Sequence, residues 1–234
     1  MERPTYRARV ERIFDHCTDT RSLFLRTLSD TFPQYSPGMF ISVTIPLANE
    51  TRVRPYTIAN SPEDGQPFEL CFNLIANGPG AAWMFERTVG DLLDFTGPFG
   101  AFTLESAPDR EMVFIAEETA IAPIRPMLRR ALAQPAAHQI HLLYAARCSE
   151  HLLYRPELEL LSKAYPRFRF EPLVIEHELL HQRLVDEVQR RWVASDRDRS
   201  RHFFVCGIGS GVLKLRDLLR EAGYERRAVR YERW

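Results

Sequence analysis

The distribution of strand and helix signals along the chain constrains its fold most, because the two halves differ. From Tyr6 to about Thr103 the sequence consists of short runs rich in Val, Ile, Phe, Tyr and Thr, separated by Pro, Gly, Asn and Asp. Evenly spaced runs of this kind are typical of an antiparallel β-barrel. After Pro108, strand-like runs alternate with segments such as Ile124–Leu132, in which apolar residues recur at helical spacing. This alternation predicts a parallel sheet with helices on both faces.

The predicted elements follow this division. In the first half we predict strands at 6–14, 21–28, 39–45, 51–59, 68–75 and 92–96, and one helix at 79–88. In the second half, strands at 112–116, 140–145, 168–174, 202–206 and 228–231 alternate with helices at 122–134, 156–165, 180–192 and 210–222, the last capped by Ser210. We therefore predict an α+β chain of two domains: an antiparallel β-barrel over residues 1–107 and a doubly wound α/β domain over residues 108–234.

Charge and hydropathy exclude several functional classes. The 31 Lys and Arg residues balance 31 Asp and Glu residues. A nucleic-acid-binding protein or a polybasic membrane binder would need a net basic surface, so neither is expected. No apolar run approaches the roughly 18 residues of a membrane span, and the first residues lack the apolar stretch of a secretory signal. We expect a soluble, cytoplasmic protein.

The cysteines and histidines do not predict a metal site. Cys17, Cys71, Cys148 and Cys206 are far apart and form no Cys-x-x-Cys pair, which argues against a zinc ribbon or an iron–sulfur cluster. We interpret them as reduced thiols. His177 and His181 are four residues apart beside a predicted helix start, and we interpret them as surface residues.

Three motifs of the first half could carry chemistry. Arg54-Pro55-Tyr56-Thr57 offers a guanidinium fork, an aromatic ring and a hydroxyl at the end of a strand. Asn77-Gly78-Pro79-Gly80-Ala81-Ala82-Trp83 opens the helix, where glycines let the backbone approach a ligand and free amides favour an anion. Gly97-Pro98-Phe99-Gly100 predicts a tight turn. Taken singly, each motif also fits an ordinary strand, helix start or turn.

In this order and spacing, the three motifs resemble the ferredoxin–NADP reductase superfamily, which includes oxygenase reductase components and flavin reductases. The second half continues the resemblance in order, through Ala122-Pro123, the run from Leu142 to Arg147, Leu152-Leu153-Tyr154-Arg155, Val205-Cys206-Gly207 and Tyr231-Glu232-Arg233-Trp234. The resemblance covers essentially the whole chain. It implies an FAD-dependent oxidoreductase that moves electrons from NADPH or NADH to a separate acceptor, which is a ferredoxin-like or oxygenase protein or a free flavin.

The resemblance also implies which residues bind the flavin. Arg54 would bind the FAD pyrophosphate, Tyr56 would pack against the isoalloxazine, and Thr57 would donate toward its N5 edge. The other implied flavin-binding residues are Pro55, Asn73, Gly78, Gly80, Ala81, Ala82 and Trp83. Two of these depart from the family pattern, because relatives usually have a Ser at the position of Ala82 and often a Lys at that of Asn73.

Nicotinamide binding is implied for the second half. Thr119, Ala120 and Gly207 would hold the dinucleotide, and Arg147 and Arg155 either read a ribose 2′-phosphate or are solvated surface residues. Cys206 and Glu232 would position the nicotinamide and, with Thr57, are the candidate catalytic residues. Trp234 would cover the flavin face or simply pack at the end of the chain.

The turn after the first strand of the second half departs further from the family. Relatives have a Gly-Gly-x-Gly turn where this chain has Glu117-Glu118-Thr119-Ala120. Side chains hinder the backbone approach that glycine allows, and two carboxylates repel a pyrophosphate dianion. Glu117 and Glu118 could instead complement the dipole of the following helix, and the glycines from Gly207 to Gly211 could compensate. A second hypothesis is therefore a flavoprotein electron-transfer or regulatory subunit with weakened or lost nicotinamide binding.

Overall fold

The computed structural model describes residues 4–29, 33–76, 78–104, 109–135, 137–176, 179–195 and 197–234. The domain boundary predicted at 107/108 lies outside the described residues and stays a prediction. Asn77 and His177 lie outside them as well. None of the helices in the described ranges combines the length and apolar character required to cross a membrane.

The first half forms the predicted antiparallel barrel. Its strands are β1 (Thr5–Cys17), β2 (Thr20–Thr27), β3 (Phe40–Pro46), β4 (Thr51–Thr57), β5 (Phe68–Asn73) and β6 (Leu92–Phe99), in the spatial order β4-β3-β6-β1-β2-β5. A bridge between Ile58 and Leu70 brings the chain after β4 onto β5, so the two edges of the sheet meet. The inward residues of every strand form one apolar core, which includes Val10, Leu25, Val43, Phe68 and Phe95.

Besides shifts of up to three residues at the strand ends, two details of the barrel differ from the prediction. Helix α1 (Pro79–Phe85) ends three residues early, before the β-branched pair Thr88-Val89, whose restricted side chains disfavour helix. The predicted turn at Gly97 is instead part of β6. Gly97 has a φ of 132° beside an irregularity in the β3–β6 register, and a Cβ atom there would lie 3.3 Å from Ile41 Cα. Glycine is therefore required at this bulge.

The second half forms a parallel sheet of five strands. Its elements are β7 (Met112–Glu117), α2 (Ile121–Ala133), β8 (Ile140–Ala146), α3 (Arg155–Ala164), β9 (Phe168–Val174), α4 (Leu180–Val188), β10 (His202–Gly207), α5 (Gly211–Glu221) and β11 (Val229–Arg233). Helix α4 is shorter than predicted because the chain continues from Gln189 to Ala194 as a π-helical turn. Ser210 occupies the N-cap position of α5, but its side chain makes no capping hydrogen bond.

Alternation along β7 shows why helices cover both faces of this sheet. Phe114 and Ala116 belong to the apolar cluster that contains α2 and α3, whereas Val113 and Ile115 belong to the cluster that contains α4 and α5. Successive side chains of a strand point to opposite faces. Each face is therefore buried under two helices, which confirms the doubly wound α/β prediction.

The strand order places a crevice at the carboxyl ends of β7 and β10. The sheet order is β11-β10-β7-β8-β9, so the chain leaves β7 to build β8 on one side and β10 on the other. In open α/β sheets, ligands bind at such a topological switch point. The last residues of the two strands are Glu117 and Gly207, and they line this crevice.

A buried ion pair joins the barrel to the sheet. Arg125 of α2 donates to Glu69 of β5 at 2.9 Å, to Glu157 of α3 at 2.8 Å and to the carbonyl of Ala59 at 3.0 Å. The Tyr154 hydroxyl donates to the other oxygen of Glu69 at 2.7 Å. The Arg125 and Glu69 side chains are only 12% and 3% exposed. This network fixes the orientation of α2, and hence of the crevice, against the barrel.

Candidate functional site

A cavity of about 640 Å³ lies between the barrel and the parallel sheet. This volume is typical of sites for small molecules and cofactors. Its barrel wall is formed by the end of β4, by β5 and by the start of α1, and its other wall by Thr119 and the last three residues. Eleven of the residues implied by the resemblance line it: Arg54, Pro55, Tyr56, Thr57, Asn73, Gly78, Gly80, Ala81, Thr119, Glu232 and Trp234.

Strand β4 presents the Arg54 motif to this cavity. Because β4 is an edge strand, it tolerates Pro55, which lacks an N–H group. Within the described part of the chain, the Arg54 guanidinium makes one hydrogen bond, to the carbonyl of Val53 at 3.0 Å, and no ion pair. Its remaining donors are therefore open to an anion.

Tyr56 and Thr57 form the inner part of the same wall. The Tyr56 ring packs edge-on against Phe72 at a centroid distance of 5.4 Å. Burial raises the pKa of Tyr56 to about 12, so the hydroxyl remains a donor at neutral pH. Thr57 is 6% exposed and sits at the buried end of the motif. The motif thus runs from an exposed cation to a buried hydroxyl.

The start of α1 approaches the cavity closely through its glycines. A Cβ atom on Gly80 would lie 3.3 Å from Ile45 Cδ1, and one on Gly78 would lie 3.1 Å from the Ile75 carbonyl. Gly80 and Ala81 line the cavity, but Ala82 and Trp83 do not. The Ala82 amide already donates to the Gly78 carbonyl at 3.0 Å, and the Trp83 ring stacks with a guanidinium, that of Arg87, at 4.0 Å.

Thr119 supplies an unsatisfied polar group to the opposite wall. Its hydroxyl oxygen is buried and has no hydrogen-bond partner among the described residues, and the residue is 2% exposed. A buried hydroxyl without a partner costs roughly 1–3 kcal/mol. Its position on the cavity wall indicates a ligand that completes it. The free guanidinium, the aromatic wall and this hydroxyl together fit a flavin dinucleotide.

The last residues of the chain close the far side of the cavity. The Trp234 indole N–H donates to the Glu232 carboxylate at 2.9 Å, and the Trp234 amide donates to the Gly207 carbonyl at 3.1 Å. Burial raises the pKa of Glu232. Cys206 lies behind this layer and is 1% exposed. Burial, together with the charges of Glu232 and Glu117, raises the pKa of the Cys206 thiol well above its usual value, so it stays protonated.

Glu117 fills part of the crevice at the switch point. Its carboxylate lies 2.9 Å from His181 Nδ1 and accepts a hydrogen bond from the Ile208 amide at 3.2 Å. A Cβ atom on Gly207 would lie 2.8 Å from Glu117 Oε2, so a larger residue there would require the Glu117 carboxylate to shift. Burial raises the pKa of Glu117. The Glu117 carboxylate therefore already accepts the hydrogen bond of the Ile208 amide. A dinucleotide phosphate bound at this position would need such donors for itself.

Glu118 turns to a different partner. Its carboxylate accepts from the Arg147 amide at 3.2 Å and lies 3.5 Å from Arg147 Nε. Its φ of 46° is in the left-handed region that glycine adopts most readily. Ala120, buried below this turn, holds the N-cap position of α2, and no side chain caps that helix. The two carboxylates therefore bind neighbouring loops rather than the helix start.

The two arginines predicted to read a ribose phosphate have partners within the chain. Arg147 forms ion pairs with Asp19 and Glu118, and Arg155 pairs with Glu159 at 2.7 Å. Neither lines the cavity. A phosphate would have to displace these carboxylates, so this role stays a prediction.

Sequence reasoning missed several lining residues, among them Phe40, Arg52, Cys71, Phe72 and Arg233. Arg52 is two residues from Arg54 on β4 and therefore shares its face. That alternation was a usable signal. Phe40 and Arg233 come from β3 and β11, and only tertiary structure brings them to the cavity.

Comparison with known proteins agrees with this geometry. Residues 7–104 match the model of the oxidoreductase FAD-binding domain, and residues 114–213 match that of the oxidoreductase NAD-binding domain. Ferredoxin–NADP reductase B of Sorangium cellulosum is 30% identical over 208 residues, which are 86% of this chain and 85% of that protein. The chain belongs to the ferredoxin–NADP reductase superfamily.

Members of this superfamily with other names match over shorter parts of their length. The phenol hydroxylase P5 protein of Acinetobacter pittii is 30% identical over 71% of this chain and 46% of its own length. The toluate 1,2-dioxygenase electron transfer component of Pseudomonas putida is 27% identical over 72% of this chain and 49% of its own. The chain thus spans about half the length of these two relatives.

Solved structures share the fold. Cytochrome P450 reductase GcoB of Amycolatopsis superposes with a TM-score of 0.83 at 22% identity, over 98% of this chain and 69% of that one. A ferredoxin NADP+ reductase of Neisseria gonorrhoeae with bound FAD and NADP superposes with a TM-score of 0.78 at 19% identity, over 99% of both chains. The fold class and the family inferred from the sequence are confirmed, and the chain is an oxidoreductase with FAD- and NAD(P)-binding domains.

Proposed function

We propose that the chain transfers a hydride from NADPH or NADH to FAD held in the cavity, and that the electrons then pass to a separate protein. The observation that carries this proposal is the position of the cavity. It lies between the Arg54 motif of the barrel and the switch-point side of the parallel sheet, so two dinucleotides can meet there. Bound FAD would supply the redox chemistry, which is acceptance of a hydride and release of electrons.

The residues of the barrel would bind and orient the flavin. Arg54 would pair with the pyrophosphate, helped by the first-turn amides of Gly80 and Ala81. Tyr56 would offer its ring face to the isoalloxazine, and Thr57 and Thr119 would donate hydroxyl hydrogens from opposite walls. Thr57 and Thr119 are buried, so their hydroxyls would need little rearrangement when the flavin binds.

The residues of the sheet would position the nicotinamide. Glu232 lines the cavity, and Cys206 is its neighbour on β10, behind the cavity wall. Both are held toward their protonated forms by burial. They would contact the nicotinamide by packing and hydrogen bonding rather than by charge. Trp234 is 41% exposed at the mouth of the cavity and would move aside to admit the nicotinamide ring.

A protein acceptor is favoured by the names of the relatives and by the cysteines of the chain. The phenol hydroxylase and toluate dioxygenase relatives carry names of oxygenase components. None of the four cysteines here forms a Cys-x-x-Cys pair, so this chain lacks a cysteine set for an iron–sulfur cluster. We therefore propose a ferredoxin-like or oxygenase protein as acceptor, with free flavin as an alternative.

Anaerobic mixing of the FAD-loaded protein with NADPH or NADH tests the proposal. We expect the flavin absorption to bleach at micromolar nicotinamide, because a bound flavin must accept the hydride. Bleaching absent even at millimolar nicotinamide, in protein that retains FAD, would support the second hypothesis of an electron-transfer or regulatory subunit. The blocked amide of Ile208 is the observation that keeps this second hypothesis open.

We expect Glu117→Gln to tighten nicotinamide dinucleotide binding about tenfold. Two like charges 4 Å apart repel by up to about 4 kcal/mol at an effective dielectric near 20, and recovery of a third of that corresponds to about tenfold. Glutamine keeps the volume of the buried side chain and can still accept from Ile208. The measurement is titration of the oxidised protein with NADP+ and NAD+ by difference spectroscopy.

Glu118→Gln is the matched control for this substitution. It removes one charge from the same turn, but Glu118 is paired with the permanent charge of Arg147, whereas Glu117 faces a histidine, which is charged only when protonated. A much smaller gain in affinity is therefore expected. If neither substitution changes the affinity, repulsion in the crevice is not what limits nicotinamide binding.

A further inference from the structure

A polar cluster outside the cavity joins the turn between β1 and β2 to the loop after β8. It consists of Cys17, Asp19, Arg147, Cys148 and His151 and is called the His151 cluster here. The His151 side chain is 10% exposed and lies at its centre. His151 Nε2 lies 2.8 Å from Asp19 Oδ1, and His151 Nδ1 lies 2.8 Å from Cys148 Sγ. None of the five residues lines the cavity.

His151 Nε2 has two polar neighbours of opposite kind, because Asp19 Oδ1 at 2.8 Å can only accept a hydrogen bond and Arg147 Nη2 at 2.6 Å can only donate one. In the form with hydrogen on Nε2 toward Asp19, Nδ1 is the atom that accepts the proton of the Cys148 thiol. A thiol beside a histidine that is oriented by a carboxylate is the arrangement that activates a sulfur nucleophile.

The electrostatics of the cluster favour transfer of that proton. The hydrogen bond with His151 lowers the pKa of Cys148. Burial acts to lower the pKa of His151, but hydrogen bonds with Cys148 and Asp19 outweigh it and raise that pKa. Burial acts to raise the pKa of Asp19, but hydrogen bonds from Cys17, His151 and Thr20 outweigh it and lower that pKa to about 2. Asp19 is therefore anionic at neutral pH and stabilises an imidazolium.

The other three thiols have no contact with His151 Nδ1, although Cys17 Sγ lies 3.5 Å from His151 Nε2 and donates to Asp19 at 3.2 Å. Burial raises the pKa of Cys17, and it raises the pKa of Cys71 to about 12. Cys206 is buried and protonated, as described above. Cys148 is half-buried, and the next two residues, Ser149 and Glu150, are exposed. Among the four cysteines, Cys148 alone combines a histidine partner at Nδ1 with access to small molecules.

A metal ion is not assigned to this cluster. Donor atoms of Cys17, Asp19 and His151 lie within 4.8 Å of one another. The Arg147 guanidinium, however, pairs with Asp19 and lies 2.6 Å from His151 Nε2. A cation of the chain already occupies the position that a metal would take.

We propose that Cys148 is a modification site whose thiolate reacts with hydroperoxides and soft electrophiles. With hydrogen peroxide, the Cys148 sulfur attacks one oxygen, an S–O bond forms and the O–O bond breaks, and the leaving hydroxide takes the proton of His151 to form water. Sulfur loses two electrons and becomes a sulfenic acid, and the peroxide is reduced.

Timed labelling with iodoacetamide, read for each cysteine by peptide mass spectrometry, tests the reactivity. An ordinary thiol is only a few per cent thiolate at pH 7, so a lowered pKa raises the thiolate fraction of Cys148. The lower nucleophilicity of a low-pKa thiolate offsets part of this increase. Cys148 should therefore react about 3- to 10-fold faster in the parent protein than in His151→Gln. The titratable and charged groups around the Cys148 thiol are His151, Asp19, Arg147 and Glu150. They determine how its labelling rate changes between pH 5 and 9. Cys71 and Cys206, which lie outside the His151 cluster, serve as internal controls.

Two further variants keep the result interpretable. His138→Gln removes an exposed histidine from the loop between α2 and β8 and should leave the Cys148 rate unchanged. Asp19→Asn should slow labelling of Cys148 as His151→Gln does, which covers the case in which the buried histidine is needed for folding.

Peroxide treatment followed by the sulfenic-acid trap dimedone should label Cys148 and not Cys17. The proposal is overturned if Cys148 is labelled no faster than Cys17 and with the same pH profile. The labelling rate does not depend on flavin content, so this test is independent of the proposed function.

Discussion

Arg54→Ala is expected to yield a folded protein that purifies with little or no FAD. The Arg54 guanidinium has no carboxylate partner in the described part of the chain and lines the cavity. Its charge is therefore available to the flavin pyrophosphate. A hydrogen bond to a charged group contributes roughly 1.5–3 kcal/mol, and two such bonds in the fork of an arginine give more. Loss of one or both weakens FAD binding by at least tenfold.

Absorbance near 450 nm per protein, where oxidised flavins absorb, together with an FAD titration of the stripped protein, measures this effect. Arg52→Ala is the matched control, because Arg52 is on the same face of β4 but pairs with Glu50 at 2.6 Å. A smaller loss of affinity is expected there. Arg54→Lys keeps the charge without the planar fork, so its FAD affinity should lie between those of Arg54→Ala and Arg52→Ala. Normal flavin content in Arg54→Ala would remove Arg54 from the site.

Much of this site could be predicted because it is local in sequence. The Arg54 motif, Asn73 and the glycines at the start of α1 lie within about one strand, one turn and one helix of each other. Each motif alone fits an ordinary strand, helix start or turn, and it was their order along the chain, through the resemblance to the family, that predicted them as flavin-binding residues. The strands and helices were predictable because their periodicities are properties of short segments.

The unpredicted features depend on contacts between distant segments. Glu117 and Ile208 are 91 residues apart, and only the pairing of β7 with β10 brings that carboxylate to the amide. The sequence therefore showed that two glutamates replace glycines, but not that Glu117 fills the crevice while Glu118 turns to Arg147. The His151 cluster is hidden in the same way, because Asp19 and His151 are 132 residues apart.

These long-range contacts also explain how the chain can belong to a nicotinamide-using family and still lack the usual glycine turn. In relatives, the turn binds the phosphate by offering bare backbone. Here Glu117 contacts helix α4 through His181, and Glu118 contacts the loop after β8 through the Arg147 amide. For a dinucleotide to bind there, Glu117 would have to move away or take up a proton. The raised pKa of Glu117 lowers the free energy of protonation, so nicotinamide binding should strengthen as the pH falls toward that pKa.

Arg125→Ala is expected to lower the free energy of unfolding by about 3–5 kcal/mol. Removal of the guanidinium leaves Glu69, which is 3% exposed, as a buried carboxylate with only hydroxyl donors. An unpaired buried charge costs far more than a lost surface contact. Denaturant unfolding followed by fluorescence and by circular dichroism gives the free energy and shows whether barrel and sheet still unfold together.

Arg129→Ala separates this effect from a general loss of charge on α2. Arg129 lies one turn after Arg125 and pairs with Asp64 at 3.0 Å, but its side chain is 36% exposed. Exposed pairs contribute about 0–1 kcal/mol, so this variant should unfold almost as the parent does. Arg125→Met combined with Glu69→Gln removes both charges and should recover most of the stability. Equal losses in Arg125→Ala and Arg129→Ala would mean that the buried pair contributes no more to the free energy of unfolding than the exposed one.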